Sequence, residues 1–198
     1  MTNFTSDWVT SNAPAWERHV VPALAGRARA RWLEIGSYEG RSALWTLDHV
    51  LTGAGSTITC VDPWDSVWLR RGQVEERFDE NTRSREGVVK HKGRSEDVLP
   101  TLPARSYDGV YVDGSHTLED AYRDARLSLP LLLPGAFVIF DDYEGDVPDP
   151  WRGSQAAPRP PRPREYGVHE AADRFVAELG ERITVLHAEW QLIARLSG

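Results

Sequence analysis

The 198-residue chain has one cysteine, Cys60, two lysines, Lys90 and Lys92, and no long apolar run. A lone cysteine excludes an internal disulfide and fits a reducing, cytoplasmic setting. It lies in the apolar run 58–61 and reads as a buried core thiol. No stretch approaches the roughly 20 apolar residues that span a bilayer. Residues 1–12 are polar and unlike a secretory signal, so neither a leader nor a membrane partner is expected. The formal net charge is −7 and no basic stripe appears, which argues against a nucleic-acid partner. Arginine's dominance over lysine is a bias of composition and implies no mechanism. Also missing is the Gly-x-Gly-x-x-Gly turn of dinucleotide-binding proteins. The length suits a single domain over residues 1–198, and no internal repeat is evident.

What is present is a different glycine turn. Residues 32–42 read Trp-Leu-Glu-Ile-Gly-Ser-Tyr-Glu-Gly-Arg-Ser, a short apolar strand running into a turn and then a helix. Gly36 lets the backbone turn without a Cβ. Gly40 opens the helix, where unpaired N–H groups and the dipole attract a carboxylate or phosphate. The spacing is Glu-x-Gly-x-x-x-Gly. Its leading acid, Glu34, repels a pyrophosphate but suits a cofactor that carries an ammonium group.

Periodicity predicts helices over 13–30, 40–51, 95–102, 117–133 and 168–179, and one more within 65–85. Strands are predicted over 31–36, 56–62, 88–92, 107–113 and 136–140. Two closing strands, 183–188 and 191–196, follow. Pro134-Gly135 reads as the stop of the long helix, and Thr117 with Asp120 as its capping box. Alternating strands and helices imply an α/β, doubly wound, mostly parallel seven-stranded sheet. The last two strands are joined too closely for a crossover and must form an antiparallel hairpin.

In such a sheet ligands bind beyond the carboxyl ends of the strands. The acids gather there: Glu34, Asp62, Asp113, and the pair Asp141 and Asp142. Asp62 is placed to take a ribose diol, or is simply a turn residue before Pro63. Trp64 reads either as a base-stacking ring or as a core residue. Ser95 is either a base contact or a helix N-cap. His116 follows Asp113 by three residues on one turn, and an imidazole suits proton abstraction near neutrality. Three close carboxylates repel one another unless a divalent cation joins them, and oxygen-only ligation suits magnesium, calcium or manganese.

Taken together, these residues resemble the class I S-adenosylmethionine-dependent methyltransferases. The nearest likeness is to the small O-methyltransferases of macrolide and other natural-product sugars. The resemblance covers about 32–143 and 167–198. It is carried by Leu-Glu-Ile-Gly-Ser-Tyr-Glu-Gly-Arg-Ser, Val-Asp-Pro-Trp, Lys-Gly-Arg-Ser, Tyr-Val-Asp-Gly-Ser-His-Thr and Phe-Asp-Asp-Tyr. It implies the Rossmann-like methyltransferase fold and S-adenosyl-L-methionine as cofactor. Glu34, Gly36, Ser37 and Gly40 would hold its methionine part, with Ser42 near the carboxylate. Asp62 would bind the ribose, Trp64 and Ser95 would lie beside the adenine, and Asp113 would border the cofactor. Asp113, Asp141 and Asp142 would ligate a divalent cation such as Mg2+, with His116 as base. Metal-dependent catechol-type relatives place a lysine where this chain has His116.

The chain departs from the pattern at a Pro/Arg-rich insert, 146–164. This reads as a solvated loop, or as a lid whose arginines pair with an anionic acceptor. Trp68 and Trp151 are candidate walls of an acceptor pocket. The expected partner is a hydroxylated small molecule, and a homo-oligomer is compatible with the sequence. Two competing readings are a nicotinamide-dependent oxidoreductase and a non-catalytic S-adenosylmethionine-binding protein. The glycine spacing and closing hairpin disfavour the first. The His116 and double-Asp constellation disfavours the second.

Overall fold

The computed structural model describes residues 2–65, 73–146 and 167–198. Seven strands form one sheet: β1 (Arg31–Ile35), β2 (Thr57–Asp62), β3 (Val88–Lys92), β4 (Tyr107–Val112), β5 (Leu132–Phe140), β6 (Ile183–Ala188) and β7 (Leu192–Leu196). Their order is β3-β2-β1-β4-β5-β7-β6. The first five run parallel, while β7 pairs antiparallel with both β5 and β6. The expected sheet and closing hairpin are both present.

Successive strand residues point to opposite faces, and both faces are covered. On one side Trp32, Ile58, Cys60, Tyr111 and Ile139 pack under α1 (Ala13–His19), α2 (Val21–Leu24), α3 (Arg41–His49) and α4 (Val74–Thr82). On the other, Leu33, Ile35, Val110, Val112, Val138 and Phe140 meet α6 (Leu118–Ser128) and α7 (Val168–Leu179). The short α5 (Ser95–Val98) follows β3. Cys60 is fully buried, as expected.

Three helices are shorter than periodicity suggests, and each breaks at a proline; the one expected over 95–102 stops at Val98, before a 3-10 turn that contains Pro100. The helix expected over 13–30 breaks between α1 and α2 at Pro22, which has no N–H for the ladder, and ends at Leu24. The helix expected to run to residue 133 ends at Ser128. A 3-10 turn containing Pro130 follows, and β5 starts at Leu132. Pro134 and Gly135 therefore lie inside β5, where the pairing with β4 shifts register between Tyr107 and Gly109. An apolar run alone does not separate a helix end from a strand start.

Candidate active site

A large cavity lies over the carboxyl ends of β1, β2, β4 and β5, where strand order reverses around β1. The turn after β1 forms its floor. Gly36 has φ +86°, and a Cβ there would sit 2.0 Å from the Asp113 carbonyl oxygen. Only glycine lets this turn lie against the end of β4. Gly40 has φ +80° and precedes α3; a Cβ there would press on Phe78 of α4 at 3.0 Å.

The acid ending β2 organises the turn. Asp62 Oδ2 accepts from the backbone N–H of Ser37 and of Tyr38, both at 3.0 Å, and Oδ1 accepts from Trp64 N–H at 2.7 Å. Burial nonetheless outweighs these bonds and raises its pKa. Glu34 is fully buried behind this wall, and neither carboxylate oxygen has a partner within hydrogen-bond distance. Burial pushes it up to about 8; the Ser37 and Ser42 hydroxyls nearby pull down, and the charge on Asp62 pushes further up.

Gly36, Ser37, Ser42, Asp62, Ser95, Asp113, His116, Asp141 and Asp142 all line the cavity. Glu34, Gly40 and Trp64 do not. Trp64 is turned into the core: its indole N–H donates to Tyr38 O at 2.8 Å, and its ring packs on Phe78. Base stacking by Trp64 is therefore not supported by its position, and the core reading holds. Ser95 is the first residue of α5 and not its N-cap, a position Arg94 takes, and its hydroxyl donates to Asp124 Oδ1 across to α6.

At the other end of the cavity the His116 imidazole lies between two carboxylates. Its Nε2 is 3.8 Å from Asp113 Oδ1 and 3.5 Å from Asp142 Oδ2. The turn is secured on both sides. Gly167 N–H donates to His116 O at 2.9 Å, and Thr117 caps α6 by accepting from Asp120 N–H at 3.2 Å. The capping box is half formed, because the Asp120 carboxylate bonds Ser115 instead of reaching back. Asp142 has φ +54°, a left-handed conformation unusual for a residue with a side chain and typical of functional sites.

Asp141 is held from the protein side. Its Oδ1 accepts from Gln191 Nε2 at 2.7 Å and from Asn12 at 3.4 Å. Burial, followed by the charges of neighbouring acids, raises the pKa of both Asp113 and Asp141 well above the ordinary value for aspartate. Crowded oxygen donors of this kind suit a hard divalent cation. Yet among the described residues no three His, Cys, Asp or Glu side chains are gathered as metal ligands. The expected Asp113–Asp141–Asp142 ligand set is thus not gathered as a metal site, and one Asp141 oxygen is taken up by Gln191 and Asn12.

Several contributors escaped sequence reading. Gln191 read as the start of a strand, and Asn12 as part of the polar stretch 1–12. Residues 6–9, 11 and 12 also border the cavity, with Asp7 paired to Arg41 at 2.5 Å. Asp124 did leave a signal, an acid in the buried stripe Ala121, Asp124, Ala125, Ser128. Trp68, Trp151 and nearly all of the 146–164 insert lie outside the described residues. No helix among the described residues is long and apolar enough to cross a membrane.

The model of a methyltransferase domain family matches residues 33–143, more than half of the chain and all of the cavity floor. The chain belongs to that methyltransferase family. No curated protein matches it by sequence. Solved structures similar to this methyltransferase include the O-methyltransferase TomG of Streptomyces achromogenes, involved in tomaymycin synthesis and solved with SAM. It is 23% identical, with TM-score 0.64, over 94% of this chain and 81% of that one. An O-methyltransferase from Bacillus cereus in complex with SAH is 18% identical, with TM-score 0.65, over 98% and 84%. A third, the S-adenosylmethionine-dependent methyltransferase of Mesorhizobium loti, is 16% identical, with TM-score 0.57, over 92% and 96%. At these identities the likeness is one of fold.

Proposed function

We propose that this methyltransferase moves the methyl group of S-adenosyl-L-methionine to a hydroxyl of a small molecule. The observation that carries the reading is the juxtaposition in one cavity of the Gly36–Asp62 cradle and the Asp113–His116–Asp142 group. The bound methyl donor supplies an electrophilic carbon on a sulfonium. The chain supplies position and a proton acceptor. The turn at Gly36 and Ser37 seats the methionine part, Asp62 faces the ribose, and Ser95 borders the base. The acceptor hydroxyl sits against Asp113 and Asp142, within reach of His116 Nε2. As the acceptor O–CH3 bond forms, the S–CH3 bond breaks and His116 takes the hydroxyl proton, leaving a neutral thioether. Holding the two reactants in line supplies much of the rate. A divalent cation beside Asp113 and Asp142 would offset their repulsion and acidify the hydroxyl; no step above depends on it.

Calorimetry with S-adenosylhomocysteine and with NAD tests the donor site. Binding of the first alone supports the reading, and tight NAD binding with no response to S-adenosylhomocysteine overturns it. Screening hydroxylated metabolites with methyl-labelled donor then identifies the acceptor.

A further inference from the structure

We propose that Asp124 selects the base of the methyl donor, its Oδ2 accepting a hydrogen bond from the exocyclic amino group of adenine. The inference rests on the methyl-donor reading above and adds to it a residue on α6, outside every motif that points to the cofactor.

Asp124 is 3% exposed yet lines the cavity, at the end where Asp62 and Ser95 also lie. Its two oxygens differ. Oδ1 accepts from the Ser95 hydroxyl. Oδ2 lies beside Gly114 in the cavity wall, 3.4 Å from where a Cβ on that glycine would stand. Among the described residues no donor reaches Oδ2, and no cation lies within ion-pair distance of the carboxylate, although the charge of the neighbouring Arg123 pulls its pKa down. The adjacent Arg123 is engaged by Glu96 at 3.1 Å and by Asp120 at 2.5 Å. Oδ2 therefore opens on the cavity, and the protein leaves its acceptor position to be filled.

A donor from the ligand resolves it. With the ribose at Asp62, the base extends toward Ser95 and Asp124, and the donor that adenine offers on its outer edge is the 6-amino group. Hypoxanthine presents a carbonyl oxygen there, which faces an acceptor-only carboxylate and is repelled. Burial raises the Asp124 carboxyl to about 6, so at pH 8 it is ionised and cannot donate. A site built around one hydrogen bond rejects the analogue that lacks it far more strongly than an apolar pocket does.

The test compares S-adenosylhomocysteine with S-inosylhomocysteine by calorimetry at pH 8 on the full chain. The wild type is expected to prefer the adenosyl probe by about 100-fold or more. Asp124→Asn, whose amide offers either a donor or an acceptor, is expected to cut that preference below about tenfold. Unchanged preference in Asp124→Asn overturns the inference and leaves Asp124 as an anchor for Ser95. Equal binding of both probes by the wild type also overturns it while sparing the methyl-donor reading; binding of neither removes both. If Asp124→Asn does not fold, Asp124→Glu displaces the acceptor by one methylene. It should weaken only the adenosyl probe, and equal weakening of both refutes the assignment.

Discussion

Gln191 donates to Asp141, Nε2 to Oδ1 at 2.7 Å, and the amide cannot be turned the other way. Trp16 Nε1, which only donates, sits 2.7 Å from Gln191 Oε1, so the NH2 must face Asp141 and the Tyr111 hydroxyl. A core tryptophan thereby fixes a carboxylate in the active site. Gln191→Leu leaves the indole N–H buried without a partner and Asp141 Oδ1 with only the long bond from Asn12. It is expected to lower unfolding free energy by about 1–3 kcal/mol, read by urea denaturation. Trp16→Phe combined with Gln191→Leu should cost less than the two single losses added, since both remove one chain of bonds.

Glu34 makes stability fall with pH. Its pKa is raised in the folded chain from 4.5 to about 8, chiefly by burial. The folded state therefore holds this proton more tightly than the unfolded one. Its contribution is most favourable below pH 4.5 and is lost progressively as pH rises to 8. The full interval corresponds to roughly 5 kcal/mol. Glu34→Gln should match the wild type near pH 4 and become progressively more stable than it up to pH 8. A stability difference that is flat across that range would show that Glu34 ionises freely.

Asp62→Ala removes the acceptor of three backbone N–H groups as well as the proposed ribose contact. Affinity for S-adenosylhomocysteine is expected to drop by about 1–3 kcal/mol, the usual worth of hydrogen bonds to a charged group. Asp62→Asn keeps one acceptor oxygen and should fall between. Calorimetry on the three proteins gives the order.

His116→Ala should cut methyl transfer about 10²–10⁴-fold, the range for a general base, while S-adenosylhomocysteine binds as before. An aliphatic hydroxyl is a poor nucleophile until its proton has an acceptor, and the imidazole set between Asp113 and Asp142 is placed to be that acceptor. Near-full turnover in the variant would return His116 to a turn-forming role.

Chelation separates the two ways of managing the acids. If a divalent cation joins Asp113 and Asp142 during turnover, exhaustive chelation lowers methyl transfer, added Mg2+ restores it, and S-adenosylhomocysteine affinity barely moves. Full activity after chelation assigns the charge balance to protonation and to donors such as Gln191.

Much of the molecule was already written in local sequence. β3 and α7 fall where alternation and the apolar stripe put them, because those patterns depend only on side-chain period. The hairpin of β6 and β7 follows from a connection too short to cross over. Gly36, Asp62, Asp113 and His116 were legible because glycine turns and strand-end acids carry their chemistry in residue type and spacing. Tertiary structure alone decided the rest. Pro22 and Pro130 cut helices that the apolar stripe would have continued, and Trp64 turned inward because Phe78 and the Tyr38 carbonyl meet it there. Gln191 and Trp16, 175 positions apart in the chain, act together only because β7 lies beside β5. Hydrogen-bond partners across a sheet leave no periodic mark in sequence, so the support beneath Asp141 and the free oxygen of Asp124 emerge only once the strands are laid side by side.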